Sequence, residues 1–224
     1  MINETGWKEL KQELDAKNVT LVAVSKTKPV EDIQALYDLG QRDFGENYVQ
    51  ELVDKQGLLP SDIRWHFIGH LQSNKVKNIA PFVHLIQAVD SFKLLLEINK
   101  QAEKNNRVID VLLQMHIAAE DTKFGMDTTD IFEFMAYFGA QKQDLQNVRI
   151  RGLMGMATFT DEVDQIREEF KTLVTRFQAM KQTDFLFVDH FDICSIGMSS
   201  DYKLAIEEGS TMVRIGSMLF GARN

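Results

Sequence analysis

Apolar positions along the chain follow two alternating rhythms. Glu4 to Lys17 carries Trp7, Leu10 and Leu14 at spacings of three and four, which predicts an amphipathic opening helix. Val19 to Val24 is short, β-branched and continuously apolar, the pattern of a strand covered on both faces. Ser25, Lys26, Thr27, Lys28 and Pro29 interrupt it. Similar short runs recur at Asp43 to Phe44, Trp65 to Ile68, His84 to Ala88, Ile109 to Met115, Val148 to Leu153, Phe191 to Ile196 and Thr211 to Ile215, making eight candidate strands in all. Between them, helical spacing fits Val30 to Asp38, Ser91 to Lys104, Thr129 to Phe138, Asp161 to Gln182 and Ser200 to Glu207. The longest of these places Val163, Ile166, Phe170, Leu173, Phe177 and Met180 on one face, with Asp161 near its positive dipole end.

Alternating strands and helices predict a parallel sheet, because parallel neighbours need crossovers and right-handed crossovers put helices outside. Eight units predict an α/β fold closed into one (β/α)8 barrel of the TIM type, with an extra N-terminal helix. The second strand is short and polar, which leaves an open doubly wound sheet as the alternative. The chain of 224 residues suits one large domain, expected to span 1–224, and its three prolines all fall in connections.

Composition narrows the partners. A net charge of -8 would repel a phosphate backbone, so no nucleic acid is expected. No apolar run reaches the ~18 residues of a membrane span, and Met1 to Lys8 lacks the apolar stretch of a secretory signal. A single cysteine, Cys194, excludes an internal disulfide, and the expected location is the cytoplasm.

Parallel barrels carry their chemistry at the C-terminal ends of strands. Lys26 is placed there, and a lysine neutralised by burial or a cationic neighbour such as Lys28 could condense with an aldehyde. Taken alone, it reads first as a solvated loop lysine. Ser195-Ile-Gly-Met-Ser-Ser-Asp201 precedes an apolar helical pattern, with Ser199 or Ser200 a natural N-cap and the first turn a possible anion site. Val213-Arg-Ile-Gly-Ser217 runs from a strand into Gly and Ser, where backbone N–H groups can approach an anion. Both follow the last two strands, the usual place for a barrel phosphate site, although each alone is an ordinary cap or turn. No nucleophile elbow, Walker pattern or dinucleotide fingerprint appears. His66 and His70 flank Gly69 at a strand end rather than lining a helix, so no metal site is expected. Cys194 reads as a small core residue. Phe132, Phe134, Tyr137 and Phe138 read as barrel-facing core with some exposure.

Five blocks together carry a resemblance: Ala23-Val-Ser-Lys-Thr-Lys-Pro29, Phe44-Gly-Glu-Asn-Tyr48, Trp65-His-Phe-Ile-Gly-His-Leu-Gln-Ser-Asn-Lys75, Gly197-Met-Ser-Ser-Asp201, and Val213-Arg-Ile-Gly216 with Phe220-Gly221. In this order, from about Leu21 onward, the chain resembles the pyridoxal 5′-phosphate (PLP) homeostasis protein family, related to the N-terminal barrel of bacterial alanine racemase. The resemblance implies PLP as cofactor, held as a Schiff base on Lys26 with Lys28 a neighbour. It implies that Ser199, Ser200, Gly216 and Ser217 hold the phosphate, that Arg214 faces the pyridine nitrogen and that Asn47 lines the ring pocket. Two departures stand out. Ser217 replaces a common Thr, and Arg151-Gly-Leu-Met-Gly155 ends differently from the commoner Arg-Gly-Leu-Met-Thr, leaving the role of Met154 open.

The function implied is a PLP carrier or buffer in intracellular PLP homeostasis, serving PLP-dependent apoenzymes, with a monomer as the expected state. Amino-acid racemisation of the alanine type, at weak activity, is the alternative, and a barrel binding another phosphate is a third reading. A two-base racemase needs a group on each face of the substrate Cα, and in alanine racemases the second is a tyrosine from a C-terminal β domain that this sequence, ending at Asn224, does not include. A permanent cation at Arg214 would also weaken the ring as an electron sink, so efficient catalysis is not expected.

Overall fold

The computed structural model describes residues 2–120 and 124–221. The ends of the expected domain, Met1 and Ala222 to Asn224, lie outside the described residues, as do Asp121 to Lys123. The chain begins with α1 (Glu4–Ala16), β1 (Thr20–Val24), α2 (Val30–Asp38), β2 (Asp43–Glu46), α3 (Val49–Gln56) and β3 (Arg64–Phe67). A 3-10 turn at Ser73–Lys75 leads into α4 (Val76–Ile79), β4 (Leu85–Val89), α5 (Phe92–Lys104), β5 (Ile109–Gln114) and α6 (Thr128–Gln141). After β6 (Val148–Met154) come α7 (Val163–Gln182), β7 (Ile193–Ser195), α8 (Tyr202–Glu208), β8 (Met212–Ile215) and α9 (Ser217–Phe220).

The strands pair in chain order, all parallel, and β1 closes on β8 with Val22 beside Arg214, so the barrel and not the open sheet is the architecture. The period of two along each strand divides the core into two layers. Leu21, Ala23, Phe44, Trp65, Phe67, Ile86, Val111, Leu113, Leu153, Cys194, Val213 and Ile215 face the helices in one apolar cluster. Val22, Leu85, Ala88, Leu112, Met154 and Met212 fill the barrel interior in a second, which gives Met154 a packing role. Cys194 is a core residue as expected, its thiol pushed up to about 12 by burial.

Side-chain caps mark three of the helix starts among the described residues. Ser91 caps α5 by accepting from Leu94 N, and Asp127 caps α6 with a reciprocal bond from Asp127 N to Asp130. Asn3 caps α1 and also donates to the carbonyl of Met218, which ties the opening helix to α9.

Three expectations need correction. Of the aromatic run on α6, Phe134 is core and Phe138 packs half-buried against it, whereas Phe132 and Tyr137 are 63% and 55% exposed. Those positions spread around too wide an arc of one helix to share a face, and Phe132 instead takes the Arg176 guanidinium over its ring. Val163, at the very end of α7, is 50% exposed. The helix α8 starts after Asp201, so neither Ser199 nor Ser200 is its N-cap. Asp201 turns its carboxylate back to accept from Met198 N at 2.6 Å, which delays the helix.

Candidate functional site

The first strand delivers Lys26 just past its end, and the loop carrying it rests on a buried charge cluster. Ser25 Oγ donates to Glu46 Oε1 at 2.6 Å, and Lys55 Nζ on α3 donates to Glu46 Oε1 and the Ser25 carbonyl, both at 2.8 Å, and to Glu51 Oε1 at 2.7 Å. Thr27 N then donates to Glu51 Oε1 at 2.5 Å, which holds Thr27 in the left-handed region at φ +63°. Both residues flanking Lys26 are thereby fixed. Burial raises the Glu46 carboxyl above its ordinary value against the attraction of Lys55, and its second oxygen, Oε2, has no hydrogen-bond partner among the described residues.

Asn47 leaves β2 toward the same end of the barrel, and Gly69 after β3 packs so closely on it that a Cβ there would stand 2.3 Å from the Asn47 carbonyl oxygen. On the opposite side β7 exits through Gly197, whose φ of +96° and close approach to Ala205 and Tyr202 exclude a side chain. That turn presents Met198, Ser199 and Ser200, and Ser199 Oγ accepts from Gly216 N at 3.3 Å, joining the last two strand-end loops.

Arg214 points inward from β8 and is 4% exposed. Its Nη1 donates to the Ser195 carbonyl at 2.8 Å and to Ser195 Oγ at 2.6 Å, and Nη2 donates to the Gly155 carbonyl at 2.9 Å. The departure at Gly155 thus sits against the site, contributing a main-chain acceptor. Burial lowers the guanidinium to about 10, still far enough above neutrality to keep it charged. Of its five N–H donors, Nε–H and one on Nη2 are left over from these bonds.

These elements enclose a cavity of about 500 Å³, within the ~300–1,000 Å³ range of small-molecule sites. All seven expected residues, Lys26, Asn47, Ser199, Ser200, Arg214, Gly216 and Ser217, line it. Its wall also includes Lys28, Ile68, Met156, Phe159 and Met198, which the sequence reading left out as site residues. Lys28 was legible as a neighbour of Lys26, and Ile68 and Met198 lie inside two of the blocks that carry the resemblance; Met156 and Phe159 carry no such signal. Asn47 Oδ1 is buried without a partner among the described residues, so a polar group of a ligand would satisfy it. A phosphate fits the Ser-rich and Gly-rich end, and an aromatic ring fits the apolar wall.

At the opposite, N-terminal face of the barrel, Asp43, His66 and His84 bring potential ligand atoms within 4.8 Å of one another. In the sequence, His66 stands out only beside His70, four residues on. Both Asp43 oxygens are already taken by Arg64, and the His66 ring lies 3.0 Å from one of them, so the group is organised as an ion-paired network.

The model of the alanine racemase N-terminal domain family matches residues 4–224. The pyridoxal phosphate homeostasis protein of Pasteurella multocida (strain Pm70) is 41% identical over 92% of this chain and 87% of its own length. That of Escherichia coli (strain K12) is 38% identical over 93% and 87%. Among solved structures, PipY of Synechococcus elongatus PCC7942 with PLP bound is 34% identical, with a TM-score of 0.85 over 97% of this chain and 99% of that one. An alanine racemase of Clostridium difficile 630 shares the fold at 16% identity and a TM-score of 0.73, this chain matching 58% of its length.

Proposed function

The chain belongs to the alanine racemase N-terminal domain family and, within it, to the pyridoxal phosphate homeostasis proteins, and from that membership we propose that it binds PLP as a carrier or buffer of the cofactor. The observation that carries this reading is the convergence of Lys26, Asn47, Arg214 and the paired Ser and Gly loops on one cavity. PLP, when bound, supplies an aldehyde that condenses with amines and a ring that accepts electrons. Lys26 is the amine that holds it as a Schiff base. Ser199, Ser200, Gly216 and Ser217 bind the phosphate, Asn47 meets the ring, and Arg214 offers its remaining donors to the ring nitrogen. We place this function in one barrel domain, acting in the cytoplasm as a monomer and passing PLP to PLP-dependent apoenzymes. Among the described residues no helix is long and apolar enough to cross a membrane.

Arg214 also argues for holding the cofactor rather than turning substrate over. Its charge opposes a proton on the neighbouring ring nitrogen, and an unprotonated ring stabilises a carbanion poorly. PLP-loaded protein is expected to show a visible band that borohydride removes, together with negligible racemisation of L- or D-alanine. Lys26-dependent turnover near the ~10 s⁻¹ typical of enzymes would contradict the carrier reading.

The phosphate assignment has its own test. A Cβ at Gly216 would stand 3.3 Å from the Val24 carbonyl oxygen, so Gly216→Val crowds the anion end of the cavity. Affinity for PLP should fall about tenfold further than affinity for pyridoxal, the worth of one charge-assisted hydrogen bond. Equal losses measured by titration would mean that the cavity had closed as a whole.

A further inference from the structure

Five inward-facing side chains on five strands form one continuous hydrogen-bonded line through the barrel. Arg214 Nη1 donates to Ser195 Oγ at 2.6 Å, and Ser195 Oγ donates to Gln87 Oε1 at 2.7 Å. Gln87 Nε2 lies 3.0 Å from His66 Nδ1, and His66 Nε2 lies 3.0 Å from Asp43 Oδ1. Arg214 lines the cavity at the strand C-termini, whereas Asp43 and His66 line a cleft of about 200 Å³ at the opposite face with Arg64, His84, Asp110 and Arg151. Ser195, Gln87, His66 and Arg214 are all buried, so each missing partner would be felt in full.

We propose that Ser195, Gln87 and His66 are positioning residues, which with Asp43 form a relay of fixed polarity that holds the Arg214 guanidinium from behind and so sets how the cavity's occupant meets it. How that occupant meets the guanidinium rests on the PLP reading above.

The polarity follows from the two ends. A guanidinium can only donate, and an ionised carboxylate can only accept. Arg214 remains charged at a pKa of about 10. Burial alone would raise the Asp43 carboxyl, but the Arg64 fork and the His66 bond outweigh it and hold Asp43 well below the usual carboxylate range. Between these ends every hydrogen points one way. Ser195 accepts from Arg214 and spends its own hydrogen on Gln87 Oε1, which turns the amide nitrogen toward His66. Met212 Sδ, 3.3 Å from Gln87 Nε2, suits that orientation because sulfur there is an acceptor. His66 Nδ1 must then accept, so the ring carries its hydrogen on Nε2 and gives it to Asp43. A donor to Ser195 is thus linked to an acceptor four hydrogen bonds away, and the guanidinium cannot rotate without breaking a satisfied buried chain.

The test is ¹⁵N NMR on the whole protein without PLP. In the wild type, long-range ¹H–¹⁵N correlations should show His66 protonated on Nε2 and bare on Nδ1; a hydrogen on Nδ1 would overturn the relay without any variant. Ser195→Ala should speed exchange of the Arg214 side-chain N–H groups about tenfold, the loss of one buried hydrogen bond, and should move the His66 ring nitrogens. Ser210→Ala removes another buried hydroxyl, one that bonds the Ile196 carbonyl and lies off the relay, and should move neither. Equal responses in the two variants, or none in Ser195→Ala, would overturn the inference. With PLP added, Ser195→Ala should release it about tenfold faster than wild type. Wild-type protein that develops no visible band would overturn the cofactor reading and the last step of the inference, while the relay itself stands or falls on the NMR.

Discussion

Lys26→Arg should leave the barrel folded and abolish retention of PLP through desalting, while the wild type elutes with the cofactor attached. Arginine keeps the length and the charge, but its guanidinium stays protonated and is not a nucleophile toward an aldehyde. The loop itself should persist, because its geometry depends on the neighbours of Lys26: Ser25 is held through Glu46 and Lys55, and Thr27 through Glu51. Contacts to the phosphate and ring remain, so binding should become weak and reversible, with affinity falling about a hundredfold or more, or ~2.7 kcal/mol. A borohydride-sensitive visible band of undiminished intensity in Lys26→Arg would refute the assignment.

Lys55→Met should be the most damaging substitution for stability. Lys55 is buried, and its ammonium group serves three acceptors, Glu46, Glu51 and the Ser25 carbonyl. Methionine fills a similar volume but leaves the Glu46 carboxylate buried with the Ser25 hydroxyl in place of a cation. Breaking a buried pair from one side costs about 3–5 kcal/mol, which denaturant titration at neutral pH would detect easily. The deficit should depend on pH in a definite sense. Burial already raises Glu46 above its ordinary 4.5, and loss of Lys55 removes what opposes that rise. The folded variant then binds a proton more tightly than the unfolded chain, so the deficit is full above the raised value and shrinks as pH falls toward 4.5. Glu46→Gln added to Lys55→Met should recover part of the loss at neutral pH. A loss under ~1 kcal/mol, unchanged between acid and neutral pH, would mean that the cluster is solvated and contributes as little as a surface pair.

All eight strands were legible because strands covered on both faces are apolar on both faces. The weakest, β2, shows why the signal can fail: Asp43 belongs to the buried relay, Gly45 allows close packing, and Glu46 is neutralised by a lysine on the next helix. Each looks like a surface residue until its partner is known. The helix α3 was missed although Val49, Leu52 and Val53 have helical spacing, because they make up barely one turn and its other buried residue is Lys55. The four-residue helices α4 and α9 are too short to show any period.

The candidate site was legible as a set of loop blocks, and those blocks converge on one cavity. Its supporting layer was not. Gln87 and Ser195 are 108 residues apart, and they meet only because the closed barrel faces their strands across its interior. Nothing in the local pattern of β4 distinguishes Gln87 from a strand-end polar residue. The same holds for Lys55, whose i+4 relation to Glu51 reads as an exposed helix pair and whose deeper partner, Glu46, lies on another element.

Lys28 is the real competitor of Lys26 for holding the cofactor, since it lines the same cavity two residues away. Lys28 Nζ donates to the Phe220 carbonyl at 3.1 Å, which engages it with the last residue of α9. Reducing the PLP-loaded wild type with borohydride and mapping its peptides by mass separates the two. A single pyridoxyl group is expected, on Lys26; the adduct found chiefly on Lys28, or on Lys75, would overturn the assignment.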